Sequence, residues 1–331
     1  MISVIIPVFN GERTLGSCLG CLFASDYQDF EAIVVDDHSS DNSRALARLL
    51  PCRLIELPRN GGAAAARNAG AAAAYGSILF FLDADILVRP DSLGRVAALF
   101  SERPDLAALF GSYQAETIPS DFFSQYKNLL HHYTHQTSRA EATTFASGFG
   151  AVRAEVFAEL NGFDPARRFL EDIELGYRMC SKGHRVLLDK QLQMTHCKRY
   201  TFGGLIRSDF FGRAIPWTAL MLESRTFHND LNTRINNLLS VPVSTLILAA
   251  PLSVRFPWIG VASLLLIVLL IALNYRFLSF LFCKRGALFA LEAVAMTWFA
   301  YLYSGLGALV ACASYGRRRF VERLKARACD A

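Results

Sequence analysis

The sequence predicts an α/β domain on a mostly parallel, doubly wound sheet, followed by an interfacial amphipathic helix and C-terminal transmembrane helices. Three observations predict it. Short apolar runs rich in branched and aromatic residues alternate with helix-like segments through the first half of the 331-residue chain. Most of these runs end in a polar loop carrying acids or glycines. The chain is 53% hydrophobic with a mean hydropathy of +0.27, and its apolar surplus collects after about residue 238.

Ser3 to Pro7 reads as the first strand, and Val8-Phe9-Asn10-Gly11 turns into a helix from about Thr14 to Ala24. Phe30 to Val35 is the second strand. The polar loop Asp36-Asp37-His38-Ser39-Ser40-Asp41 after it can cap a helix running to Leu50. Arg53 to Leu57 is the third strand, and Asn60-Gly61-Gly62 opens an alanine-rich helix that carries Arg67 and Asn68. This alternation implies parallel strands with helices on both faces. Three polar loops then converge on one edge, where backbone amides and helix N-termini suit a diphosphate.

Leu79-Phe80-Phe81-Leu82-Asp83-Ala84-Asp85-Ile86-Leu87 is a buried strand that ends in two carboxylates one residue apart. Ligands of open α/β sheets bind outside the carboxyl ends of the strands, so these acids stand where ligand chemistry is expected. Two hard oxygen ligands suit Mg²⁺ or Mn²⁺. Alone, the same spacing also suits a turn acid or a helix cap.

Taken together, Ile5-Ile6-Pro7-Val8-Phe9-Asn10, Val34-Val35-Asp36-Asp37, Asn60-Gly61-Gly62 with Ala66-Arg67-Asn68-Ala69-Gly70, and Leu82-Asp83-Ala84-Asp85 resemble the ordered motifs of family 2 glycosyltransferases of the GT-A fold, over about residues 1 to 200. The resemblance implies a nucleotide sugar, with a UDP-sugar the first expectation, held by Pro7, Val8, Asn10, Asp37, Asn60, Gly61, Arg67 and Asp83. It implies a divalent metal, Mn²⁺ or Mg²⁺, at Asp83 and Asp85. His196 is a third ligand by the same resemblance or a structural histidine. Glu171-Asp172 in Phe169-Leu170-Glu171-Asp172-Ile173-Glu174 resembles the acceptor-side acid motif, with Asp172 as general base and Glu171 beside it. Inverting transfer needs such a carboxylate to deprotonate the acceptor hydroxyl. The bland alternative is a pair of acids favoured at a helix N-terminus. Phe145 to Val152 reads as a small-residue strand upstream.

No Gln-x-x-Arg-Trp follows the acid pair, which favours transfer of a single sugar over processive synthesis. The expected acceptor is a hydroxyl of a lipid-linked or membrane-associated molecule. Transfer to a polyprenyl phosphate and a non-catalytic nucleotide-binding scaffold are the alternatives. A nucleotidyltransferase would carry a glycine-rich loop with a lysine after the first strand, which Asn10-Gly11-Glu12-Arg13 is not.

The net charge of +5 is modest, and no basic run interleaved with aromatics suggests nucleic acid. Lys198, Arg199, Arg207 and Arg213, and later Arg317 to Arg319, flank apolar segments, as cations facing an anionic membrane surface do. Eight cysteines lack zinc-site spacing and read as reduced thiols. His131, His132 and His135 fall on an amphipathic helix, Asp121 to Thr137, as its polar face. Tyr200 to Leu222 mixes large aromatics with cations in the manner of an interfacial helix.

Leu238 to Val254, Trp258 to Leu273 and Ala287 to Ala313 are each near the length needed to cross a bilayer, giving two or three spans, with Tyr275 to Arg285 as a connector. The expected division is a catalytic domain over 1–200, an interfacial segment over 201–236, a membrane domain over 237–315 and a basic tail over 316–331. With a strand at the N-terminus and no secretory signal, the expected location is the cytoplasmic membrane, with the catalytic domain facing the cytoplasm.

Overall fold

The computed structural model of the chain describes residues 1–224 and 235–329, with side chains to Arg317 and at Arg319. It divides into two compact units, Met1–Arg199 and a second from Tyr200 onward. In the first unit, β1 (Ile2–Val8), α1 (Leu15–Phe23), β2 (Phe30–Asp36), α2 (Ser43–Arg48), β3 (Arg53–Glu56), α3 (Gly62–Ala72) and β4 (Ile78–Leu82) follow in order. The four strands pair in parallel as β3-β2-β1-β4, with Ile5 opposite both Ile33 and Phe81. Because β1 has β2 on one side and β4 on the other, its carboxyl end is the switch point at which a crevice opens.

Alternation along β1 sends its residues to two apolar layers. Val4, Ile6 and Val8 meet Phe80, Leu82 and Leu19 on one face. The opposite face carries Ile5, against which α3 lies so closely that a methyl at Gly70 would fall 2.4 Å from the Ile5 Cγ2 atom. On β4, Phe81 contacts Phe157 and Phe163, with ring centroids 5.3 and 5.0 Å away.

After β4 the chain adds β5 (Ile86–Leu87), α4 (Ser92–Glu102), β6 (Leu106–Tyr113), α5 (Phe122–Thr137), β7 (Glu141–Ala142), β8 (Phe149–Arg153), α6 (Ala154–Glu159), α7 (Glu171–Ser181) and β9 (Arg185–His196). The sheet continues β4-β8-β6-β9-β5, with β7 on β9; β8 is antiparallel to both β4 and β6. Two expected elements are shorter than their sequences imply. The run through Leu87 breaks at Leu82, and its last two residues pair antiparallel with β9. The small-residue strand begins only at Phe149, leaving 145–148 as a loop.

That loop is held from below by α7. A Cβ on Gly176 would lie 2.4 Å from the Phe145 amide nitrogen and 2.6 Å from the Thr144 carbonyl carbon. Backbone cannot yield as a flexible side chain can, so Gly176→Ala is expected to cost about 1–3 kcal/mol. Thermal unfolding of the purified variant checks this, and a melt within 1 °C of wild type would contradict it.

The second unit holds α8 (Phe202–Asp209), a π-helical turn (Phe210–Ala214), α9 (Ile215–Ser224), α10 (Ile235–Ile247), a 3-10 turn (Ala250–Val254), α11 (Pro257–Leu273), α12 (Tyr275–Arg285) and α13 (Ala287–Cys329). The expected interfacial helix therefore runs from Phe202 to Ser224 with a π-helical turn inside it, and part of the segment assigned to 201–236 lies outside the described residues. The first expected span, Leu238 to Val254, ends as α-helix at Ile247 and gives way to the 3-10 turn at Pro251, which is too short to cross. Among the described residues, one helix, Ala287–Arg317, is long and apolar enough to cross a membrane, or two if α11 and α12, bent by 73°, form one span. The bend lies at Asn274, whose side chain donates to the Ser240 hydroxyl (3.1 Å) and accepts from the Tyr301 hydroxyl (2.7 Å). The predicted connector is thus the helix α12.

Candidate active site

The crevice at the switch point is built by loops that brace one another. Asp37 leaves β2 with its amide donating to the Val8 carbonyl (2.8 Å). Its buried carboxylate accepts from the Gly61 amide at 2.7 Å and the Gly62 amide at 2.8 Å, and the Asn60 side chain donates to its carbonyl at 3.2 Å. The amides at the start of α3 that would suit a diphosphate therefore already have an acceptor, because an acid one strand away lies level with them.

Asn10, at φ 52°, accepts from the Ser40 amide (2.8 Å), while its own amide donates to the Ser39 hydroxyl (3.0 Å). Asparagine tolerates this left-handed backbone better than most residues. The Gly11 amide donates to the Ser43 hydroxyl at 2.9 Å. Pro7 and Val8 end β1 beside this loop. Phe9, for which the sequence gives no functional signal, is 54% exposed there.

The centre of the site is Arg67. Its buried guanidinium donates to Asp83 Oδ1 at 2.7 Å and to Glu171 Oε1 at 2.6 Å, and it lies over the Phe163 ring at 5.7 Å. The two partners come from opposite ends of the domain, one at the end of β4 and one at the start of α7. Asp172 is next to Glu171. Its Oδ2 accepts from the Ser147 amide (3.1 Å) and Oδ1 from the Ile173 amide (2.8 Å).

Ser147 and Gly148 connect the two acids. The Asp83 amide donates to the Gly148 carbonyl at 2.9 Å, and a methyl on Gly148 would lie 2.8 Å from Asp83 Oδ2. Asp172 thus stands one residue along the same loop from Asp83, so positions nearly ninety apart in sequence share one site. Leu170, just before them, sits at φ 60°, a strained conformation for a branched side chain, stored where the acid pair is aimed.

Burial sets the charge behaviour of the pair. It pushes the Asp172 carboxyl above its ordinary value, outweighing the Arg67 charge and the hydrogen bonds from Ser147 and Ile173. Glu171 is raised by burial and by the Asp172 charge, against the pull of Arg67.

Asp85 turns the other way, toward β9. Its Oδ2 lies 3.4 Å from His196 Nε2, and its carbonyl accepts from the Cys197 amide at 2.8 Å. Burial opposes the Asp85 charge, but the hydrogen bond and charge of His196, with Lys198, prevail and hold the carboxyl below its usual value. Two ligands at right angles about an ion at about 2.1 Å stand about 3 Å apart, so the spacing of Asp85 and His196 fits a divalent cation. The expected trio of Asp83, Asp85 and His196 is not assembled. Among the described residues no group of three or more His, Cys, Asp or Glu side chains is set to hold a metal, because Asp83 is charge-paired with Arg67.

The histidines of α5 are not a solvated face. His131 and His135 are buried, and the Tyr113 ring stacks on His131 with centroids 4.8 Å apart. Cys18, Cys21, Cys52, Cys180, Cys197, Cys283 and Cys312 are free thiols.

Residues 3–160 match the model of glycosyl transferase family 2. A glycosyltransferase of Haemophilus influenzae described as uncharacterized is 24% identical over 212 residues, covering 63% of this chain and 72% of that protein. The Escherichia coli UDP-Glc:alpha-D-GlcNAc-diphosphoundecaprenol beta-1,3-glucosyltransferase WfgD is 29% identical over 117 residues, or 34% of this chain and 46% of that enzyme, so the match spans less than half of it. The mannosyltransferase PcManGT from Pyrobaculum calidifontis, solved with GDP-Man and Mn²⁺, superposes with a TM-score of 0.57 at 17% identity, covering 93% of this chain and 86% of its own, which shows a shared fold.

Proposed function

Proceeding from a chain whose residues 3–160 match glycosyl transferase family 2 and which has a GT-A type fold, we propose that it transfers a single sugar, with inversion, from a nucleotide sugar to a hydroxyl of a lipid-linked or membrane-associated acceptor. The observation that carries the reading is the Arg67 bridge, which brings the acid ending β4 and the acid pair opening α7 into one site. Asp172 takes the proton of the acceptor hydroxyl as its oxygen attacks the anomeric carbon and the bond to the departing diphosphate breaks. Arg67 and Glu171 hold the acid pair against Asp83. Asp37 fixes Asn60 and Gly61 beneath the nucleotide, while Pro7, Val8 and Asn10 form the facing wall. Asp85 and His196 would hold the divalent cation, Mn²⁺ or Mg²⁺, which when bound supplies positive charge to the leaving group.

A lipid-linked acceptor is supported by the activity for which the Escherichia coli relative is named and by the second unit. There Leu252, Val254, Trp258, Leu265, Leu291 and Leu309 are all more than half exposed, an apolar surface suited to acyl chains. In this reading residues 1–200 are the catalytic domain, 201–236 meet an anionic interface, 237–315 anchor the chain in the cytoplasmic membrane, and 316–331 are a basic tail.

The test is a screen of nucleotide sugars, UDP-sugars first, for Mn²⁺-dependent hydrolysis and for transfer into an organic-extractable product. With the active donor, kcat/KM should fall as pH drops through the Asp172 pKa, because only the carboxylate accepts a proton. The break should lie above the ordinary aspartate value of about 3.9. A product whose sugar linkage is cleaved by mild acid would mean transfer to a phosphate instead. The absence of turnover with every donor would favour the scaffold reading.

A further inference from the structure

We propose that Tyr113 is a positioning residue for His196, setting the affinity of the Asp85 and His196 pair for a divalent cation. The inference rests on the reading of His196 as a ligand. A histidine ligand is effective only when its ring is held with one nitrogen toward the ion, and supports behind the ring are worth about 10–100-fold in metal affinity. His196 is the last residue of β9, where a side chain would otherwise swing freely.

Here it is held on several sides. Ile86 pairs with it across the β5–β9 ladder, and the Thr117 hydroxyl donates to its carbonyl at 2.8 Å. The Tyr113 ring meets its imidazole edge to face, with centroids 5.5 Å apart and planes at 82°. Tyr113 is itself held by α5. His131 stacks on it at 4.8 Å and 19°, His135 meets it edge-on at 5.5 Å, and His132 Nδ1 lies 2.7 Å from the Tyr113 carbonyl oxygen. One continuous row of rings therefore runs from α5 to the imidazole, whose Nε2 is left directed at Asp85. This accounts for two buried histidines that the proposed transfer does not use.

The experiment measures Mn²⁺ bound to the detergent-solubilised full chain by electron paramagnetic resonance, with nucleoside diphosphate present and no acceptor. Tyr113→Leu should bind Mn²⁺ about tenfold more weakly, whereas Tyr113→Phe, which keeps the ring, should stay within about twofold of wild type. His196→Ala should also weaken binding, and adding Tyr113→Leu to it should cause no further loss. Wild-type affinity in Tyr113→Leu beside a weakened His196→Ala overturns the inference alone, as does an additive loss in the double variant. Wild-type affinity in His196→Ala removes the reading of His196 as a ligand, and the inference with it. Should Tyr113→Leu fail to fold, Thr117→Val releases the His196 backbone instead and should weaken Mn²⁺ binding severalfold; unchanged affinity there also counts against the proposal.

Discussion

Asp172→Asn should lower the rate of sugar transfer by about 10²- to 10⁴-fold while leaving metal-dependent nucleotide binding within about twofold of wild type. The side chain keeps its shape and can still accept from the Ser147 amide, so the loop that also contacts Asp83 should stay in place. What is lost is the capacity to take a proton, which burial makes stronger in the native acid by raising its pKa. Turnover by the variant at the wild-type rate would remove Asp172 from the mechanism. Loss of nucleotide binding in parallel would show that the substitution had disturbed the pocket rather than the chemistry.

Arg67→Met should be the most destabilising single change in the site. It strips the cation from two carboxylates, of which Glu171 is 12% exposed and Asp83 39%. Asp83 can recover water, so the penalty falls mainly on Glu171. Leaving a buried charge unpaired costs about 3–5 kcal/mol, and the lower end is the better expectation here. For a unit of this size that is a drop of about 6–12 °C in the melting temperature.

Arg67→Lys should recover only part of the loss, since one ammonium cannot reproduce a planar fork that reaches two acids at once. Adding Glu171→Leu to Arg67→Met should restore much of the stability by removing the stranded charge, and should leave transfer impaired. A wild-type melt for Arg67→Met would show that the bridge contributes nothing. Recovery of full activity in the double variant would show that its role is only structural.

Much of this arrangement is visible in the chain itself. The alternation of Ile2–Val8, Phe30–Asp36 and Ile78–Leu82 with intervening helices implies parallel strands, and Asp83 and Asp85 stand where the third of them leaves the sheet. Pairings are less visible. Nothing local to Phe149–Arg153 says that it inserts antiparallel between β4 and β6, because apolar periodicity reports burial and not the partner. Leu106–Tyr113 carries little polar contrast for the same reason: seven of its eight residues are buried.

Arg67 reads locally as a cation on an alanine-rich helix; its partner Glu171 lies 104 positions away. Gly148 and Gly176 read as strand and helix glycines until the atoms crowding them are known. The histidines of α5 read as a polar face because their 3.6-residue spacing gives no information about Tyr113, which arrives from another strand. Pro242 is accommodated within α10, whereas Pro251 falls in the 3-10 turn that follows α10.

The shared guanidinium also limits how this scaffold can be recombined. Donor preference and acceptor preference are often imagined as exchangeable halves, to be cut and rejoined near the middle of the domain. Here a cut anywhere between Arg67 and Glu171 separates a cation from one of its anions. A chimera that takes its C-terminal half from a relative without a matching acid should inherit a buried cation that has lost its partner on α7 and keeps only Asp83, however well the new substrate fits. Grafts that carry both positions from one parent should tolerate the exchange.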